Sequence, residues 1–299
     1  MIDVTLVGTG GMYPLPDRAL TALYISCNGR SALVDCGEGT QIQMRAAGLR
    51  FKPVEAILIT HFHADHVAGL PGLLLTLGNE GRTEPLTIYG PRGLAKVVGS
   101  LQVICREIPF EVRFQEFDGK TDARISAIGL DVQVFPGDHG VDCLGYCFCL
   151  NRPGKFDPQA ASARGIPQKL WGRLQKGESV DGFAPEDVLG EPRAGIRVLY
   201  CTDTRPVPGI EVYGREADLV ILEGMFGEPE KQARAEISHH MMMQEAASLA
   251  AKMNARELWL THFSPANPHP EQFEAELRGI FENTLIARDG QKATLRFRE

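Results

Sequence analysis

The stretch Thr60-His61-Phe62-His63-Ala64-Asp65-His66 places three imidazoles and a carboxylate within six residues. It follows an apolar, strand-like run, Ala56-Ile57-Leu58-Ile59. In an extended segment, side chains two apart lie on one side, so His61 and His63 converge on one metal ion. A turn then carries Asp65 and His66 towards a second ion. Neutral imidazole is the commonest metal ligand, and His combined with Asp suits zinc. The plain alternative, a group of solvent-satisfied surface histidines, is disfavoured by this ligand-rich spacing.

Further metal-ligand types stand just after strand-like runs. His139 follows 130–135, Asp203 follows 196–200 and His262 follows 257–260. Asp35 ends the run 31–34 and reads as a carboxylate that orients a ligating histidine through its second nitrogen. Other strands are expected at 2–7, 22–26, 86–89, 111–117, 124–128, 144–150, 219–222 and 293–297. Helices are expected at 40–47, where Thr40 is the cap, then from Gly69 through Leu75, and at 93–105, 241–253 and 270–281. The methionines of the 241–253 helix read as core. This alternation makes an α/β protein, with chemistry at strand ends. One domain spans 1–299, and two β-rich halves divided by the segment 151–195 pack as a sandwich.

The 299 residues are 43% hydrophobic and 23% charged, an ordinary globular balance, and no apolar run approaches a membrane span. Residues 1–7 lack the basic start of a signal peptide, so the cytoplasm is the expected compartment. The seven cysteines show no zinc-ribbon spacing and read as small buried hydrophobes. A net charge of −7 gives no general affinity for nucleic acid, so any polyanion site must be local. The segment 151–195 is the place for one. From Asn151 to Lys176 it carries six bases and one acid, with Trp171 in the middle. It reads as an inserted basic arm with a short helix near 168–174. Its alternatives are a solvated loop and a grip on a polyanion, the latter through Lys169, Trp171 and Arg173.

The cluster His61-Phe62-His63-Ala64-Asp65-His66, followed by separate His139, Asp203 and His262, resembles the metallo-β-lactamase superfamily. Within it the chain is most similar to the ribonuclease Z family. The segments carrying that likeness include Leu6-Val7-Gly8-Thr9-Gly10, Asp35-Cys36-Gly37-Glu38-Gly39-Thr40-Gln41, Asp203-Thr204-Arg205 and Thr261-His262-Phe263-Ser264. The resemblance implies a four-layer αββα sandwich with two zinc ions per chain, manganese being the alternative. It implies that His61, His63 and His139 hold one ion, that Asp65, His66 and His262 hold the other, and that Asp203 bridges them. It further implies a homodimer that trims the 3′ ends of precursor tRNA. Three motifs depart from the family, one being an arm Pro-Gly-Pro step that is here Pro167-Gln168-Lys169. A His-Glu-Ala-Thr element is here Leu222-Glu223-Gly224-Met225, and a His-Ser-Thr element is His240-Met241-Met242.

The expected reaction is phosphodiester hydrolysis by hydroxide made available between the two ions. Asp65 doubles as a general base. His240, held by Glu223, is the expected proton donor to the leaving oxygen, with His239 as the alternative. A small-substrate hydrolase acting on a cyclic nucleotide or other ester is the competing reading, and a non-catalytic RNA-binding protein the third. The arm separates the first two: a lid over the ions favours a small substrate, and a projecting arm favours RNA.

Overall fold

The computed structural model describes residues 1–105 and 107–298. Fourteen strands form two sheets of seven. They are β1 (Ile2–Gly8), β2 (Ala22–Cys27), β3 (Arg30–Val34), β4 (Val54–Leu58), β5 (Leu86–Pro91), β6 (Val112–Phe117), β7 (Ala123–Ala127), β8 (Leu130–Pro136), β9 (Leu144–Arg152), β10 (Arg193–Cys201), β11 (Leu219–Glu223), β12 (Leu258–Thr261), β13 (Thr284–Ile286) and β14 (Lys292–Leu295). The first sheet runs β14-β1-β2-β3-β4-β5-β6 and the second β13-β12-β11-β10-β9-β8-β7.

Both faces of the central strands are buried, which explains their continuous apolar runs, whereas the edge strands β6, β7 and β14 are partly exposed. In β10, Val198 and Tyr200 point between the sheets, while Leu199 and Cys201 point outwards under helices. The inner core joins Val4, Leu6, Ile25 and Val34 of the first sheet to Val132, Tyr146, Ile221 and Trp259 of the second. Helices α1 (Thr40–Ala46), α2 (Ala64–Val67), α3 (Leu70–Asn79) and α4 (Leu94–Leu101) follow in the first half of the chain. Met44, Leu73, Leu77 and Val98 seat three of them, α1, α3 and α4, on the outer face of the first sheet. Helices α5 (Pro158–Ala163) and α6 (Gln168–Gln175) lie in the inserted segment, and α7 (Pro208–Gly214), α8 (Gln232–Ile237), α9 (Met243–Lys252) and α10 (Glu274–Ile280) follow it. Ile210, Ala246, Ala250 and Leu277 seat α7, α9 and α10 on the second sheet. The layers are helix, sheet, sheet, helix, as the resemblance implied.

The expected division of the sheets is corrected. The chain changes sheet between β6 and β7, not at 151–195, and β14 returns to pair with β1. β9 and β10 are antiparallel neighbours with Arg152 opposite Arg193, so the insertion is a long connection within one sheet. Thr40 opens α1 but does not cap it: its hydroxyl donates to Gly37 O, and Gly39 is the capping residue. The expected helix at 93–105 ends as α at Leu101, and that at 270–281 begins as a 3-10 turn before α10. Strand 112–117 is mostly exposed, because β6 lies at a sheet edge. Helices α2, α5, α7 and α8 and strand β13 escaped the sequence reading.

The insertion carries its own small core of Ala161, Ile166, Leu170, Leu174, Val180 and Val188. Over the whole of 151–195 its charge is nearly balanced, with seven bases against six acids, because the acids come late. Arg164 pairs with Asp187, and Arg173 with Glu178. Among the described residues no helix is long and apolar enough to cross a membrane.

Candidate metal centre

Strand ends bring the donors together. His61 follows β4 in the first sheet; His139, Asp203 and His262 follow β8, β10 and β12 in the second. The chain must bend where each strand stops. Asp35, Asp203 and His262 do so with φ of 60°, 52° and 55°. Asp and His accept this left-handed region better than most residues.

All seven expected donors meet in one pocket; six are buried and His63 is exposed at its mouth. His63 Nδ1 lies 2.9 Å from His61 Nε2 and 3.2 Å from His139 Nε2. His262 Nε2 lies 3.3 Å from His66 Nε2 and 3.3 Å from Asp65 Oδ2. Asp203 sits between the two groups. Its Oδ2 is 3.2 Å from His66 Nε2, and its Oδ1 is 3.3 Å from His262 Nε2 and 3.8 Å from His139 Nε2.

The surroundings decide which way the ring nitrogens point. His66 Nδ1 donates to Asp35 Oδ2 at 2.9 Å, the support expected of that carboxylate. Asp35 is itself held by the Thr60 N–H at 2.9 Å and by the Thr60 hydroxyl. His139 Nδ1 donates to the His239 carbonyl at 3.1 Å. With their outer nitrogens donating, His66 and His139 turn Nε2 lone pairs inwards, towards carboxylate oxygens and other imidazoles. Facing lone pairs repel unless a proton or a cation lies between them. Asp203 Oδ2 and His262 Nδ1 are buried without hydrogen-bond geometry to any described residue. A nitrogen and carboxylate donor set of this kind fits divalent transition metals.

The electrostatics agree. Burial, reinforced by neighbouring imidazoles, pushes His61 well below its ordinary range. For His66, burial works downwards but the charges of Asp203 and Asp35 outweigh it, and the group is raised. Asp65 and Asp203 are buried, which works upwards, yet the imidazoles around them hold both well below the usual carboxylate range.

His240 lies beside this pocket, its ring 4.7 Å from that of His139. Its Nδ1 donates to Glu223 Oε2 at 2.8 Å, and Glu223 Oε1 accepts from Thr204 N at 2.7 Å. Burial would depress His240, but Glu223 overcomes it by charge and hydrogen bond and holds the imidazole up at about 9. His239 is more exposed, with its Nδ1 on Asp138 Oδ1 at 2.7 Å.

Two contacts were invisible in the sequence. Met12 N donates to Asp65 Oδ2 at 2.7 Å, and Gly11 lies flat against the His262 ring. The Gly8-Thr9-Gly10-Gly11 run signalled only a strand break. Lys169, Trp171 and Arg173 are not brought to the pocket. They lie on or beside α6, and the arm leaves from Arg152 and Arg193, the ends of β9 and β10 away from His139 and Asp203. Nine-residue strands separate those ends by about 30 Å. Trp171 is half-buried: it packs on Phe156 and gives its indole N–H to Ile166 O. Lys169 and Arg173 are exposed.

Comparison with known proteins places these features in a family. A model described as beta-lactamase superfamily domain matches residues 181–263, and one described as anti-Pycsar protein Apyc1 matches residues 2–144. Ribonuclease Z of Lachnospira eligens is 46% identical over 301 residues, 99% of each chain. Ribonuclease Z of Agathobacter rectalis is 46% identical over 303 residues, covering 100% of both. The crystal structure of human tRNase Z, short form, superposes with a TM-score of 0.71 at 25% identity, over 99% of this chain and 100% of that one. By identity sustained from end to end, the chain belongs to the ribonuclease Z family of the beta-lactamase superfamily.

Proposed function

We infer that this chain is an endoribonuclease that removes 3′ trailers from precursor tRNA by hydrolysing one phosphodiester bond. The observation that carries the reading is full-length identity of 46% to proteins named ribonuclease Z, in a chain that gathers seven metal donors into one pocket. His61, His63 and His139 would hold one cation and Asp65, His66 and His262 another, and Asp203 would complete the donor set. Zinc suits these donors, with manganese the alternative. Two divalent cations, when bound, supply Lewis acidity towards phosphoryl oxygens and lower the pKa of water.

The protein's own groups set the stage for that chemistry. Asp35 and the His239 carbonyl fix the tautomers of His66 and His139, and Met12 N–H fixes Asp65. Asp65, oriented by the Met12 N–H, is proposed both as a ligand and as the general base. His240 stays protonated at neutral pH and offers its Nε2 proton to the leaving oxygen, while Glu223 stabilises the imidazolium. His240 is preferred to His239 because its side chain is 13% exposed against 43% and it stands beside the donors, its ring 4.7 Å from that of His139.

The insertion favours RNA over a small substrate. It folds on its own core and leaves from the far end of β9 and β10, so it does not serve as a lid over its own pocket. Lys169, Arg173 and Lys176 share one exposed side of α6 and are placed to meet phosphates. A homodimer is part of the proposal and is checked by light scattering. The metal-loaded protein should release trailers from precursor tRNA and leave a cyclic nucleotide intact in a parallel incubation. Turnover of the cyclic nucleotide alone would overturn the assignment in favour of a small-substrate hydrolase. His63→Ala should abolish cleavage of RNA and of an aryl phosphodiester alike.

A further inference from the structure

His240 is fixed by more than its ring. Arg205 stands two residues beyond Asp203, and its guanidinium forks towards the His240 segment. Nη1 donates to His240 O at 2.5 Å and to Glu245 Oε2 at 2.8 Å, and Nη2 donates to Glu245 Oε1 at 2.5 Å. Glu245 Oε2 also accepts from Met242 N at 2.9 Å. The two intervening side chains, Met241 and Met242, are buried in different clusters. One hydrogen bond to Glu223 fixes Nδ1, and His240 N donates to Ala235 O at 2.8 Å, which leaves the carbonyl side of the backbone still to be held. The Arg205–Glu245 pair fixes that backbone, on both sides of Met241.

We propose that Arg205 and Glu245 form a clamp that positions His240 for proton donation to the leaving oxygen, tying its backbone to the same strand end that carries Asp203. This rests on His240 being the donor. Arg205 is thus a positioning residue. Its planar fork matches a carboxylate and a carbonyl at once, a geometry that the point charge of lysine does not reproduce. The two residues after His240 are apolar methionines, so polar anchoring of the segment comes from Arg205 and Glu245.

The test compares Arg205→Lys and Glu245→Gln with the unaltered protein, each loaded with zinc. kcat and KM are measured on precursor tRNA, which departs as a poor alkoxide, and on bis(4-nitrophenyl) phosphate, which departs as a good phenolate. A donor misplaced by about 1 Å should lower kcat on RNA by about 10–100-fold with KM little changed. The loss on the aryl ester should be far smaller, and zinc content should not move. Arg205→Lys added to His240→Ala should cost nothing further on RNA, because the two act through one group. Equal losses on both substrates, or full additivity in that double variant, would overturn the clamp. If Arg205→Lys does not fold, Glu245→Gln in the same comparisons decides the matter alone. His240→Ala by itself separates the two ideas. Equal losses there remove His240 as donor, whereas a selective loss with additive Arg205→Lys removes only the clamp.

Discussion

Replacing Gly11 by alanine tests how tightly the first loop is fitted to the donors. A Cβ on Gly11 would lie 2.6 Å from His262 Cε1, 2.7 Å from Nε2 and 2.9 Å from Nδ1. Carbon contacts settle at about 3.5–4.0 Å, so something must move by about 1 Å. The loop has no room to retreat. Gly11 N donates to Phe263 O at 3.1 Å, Phe263 N donates to Thr9 O at 2.9 Å, and Met12 N holds Asp65. The His262 ring is buried at 1% exposure and has no open side. Either the imidazole shifts or Met12 releases Asp65. A displacement of that size costs about 100-fold in kcat, or about 2.7 kcal/mol. Zinc affinity should fall by about 10–100-fold, as it does when groups that orient ligands are lost. Because the damage precedes the departure of the leaving group, precursor tRNA and bis(4-nitrophenyl) phosphate should suffer alike. Gly99→Ala is the control: it sits in α4, and beyond the helix's own backbone nothing lies within 4 Å of the added Cβ. It should leave activity unchanged and add up to about 1 kcal/mol of stability. Full kcat and full zinc content in Gly11→Ala would refute the argument.

Three other outcomes are expected. In metal-free protein, NMR should find His240 titrating near 9 and moving back towards 6.5 in Glu223→Gln. A raised imidazole pKa stabilises the fold fully below about 6.5, and that contribution fades as pH rises through 9, so the stability gap between the two proteins should close over this range. A gap that widens with pH would contradict the sign. Lys169→Glu with Arg173→Glu should raise KM for precursor tRNA and flatten its dependence on salt by up to about two phosphate contacts, without changing aryl ester hydrolysis. An unchanged salt slope would show that α6 does not touch RNA. Cys149 should alkylate faster than the six buried cysteines at neutral pH. Its thiol is drawn down to about 7, first by a hydrogen bond from Cys147 and also by Arg197. Equal labelling of all seven would deny that microenvironment.

The donors were legible because their chemistry is concentrated. Four sit in one short segment, and the other three stand immediately after apolar runs whose burial on both faces forces them to be strands. Asp35 was legible for the same reason. What stayed hidden is carried by the backbone or by pairs far apart in sequence. The His239 carbonyl and the Met12 amide have no side-chain signature, and Gly11 is one glycine among 32. Arg205 and Glu245 are 40 residues apart, and each alone is an ordinary charged residue. The sheet boundary was misplaced because a long polar insertion looks like a divider, whereas strand register makes it a connection between neighbours. The arm looked basic because its acids follow its bases, and only folding returns Asp187 to Arg164.

The pairing of β14 with β1 has a consequence for biosynthesis. Thr294 bonds to Asp3 across 291 positions, and Asp289 holds Thr9 and Ala19, the two ends of the loop that contains Gly11. A chain emerging from the ribosome N-terminus first exposes its histidine-rich segment long before His262, and later still Asp289, can join it. Until then the early histidines form only a partial, weak chelate. Completion of the centre therefore waits until β14 has closed against β1 and Asp289 has reached Thr9 and Ala19.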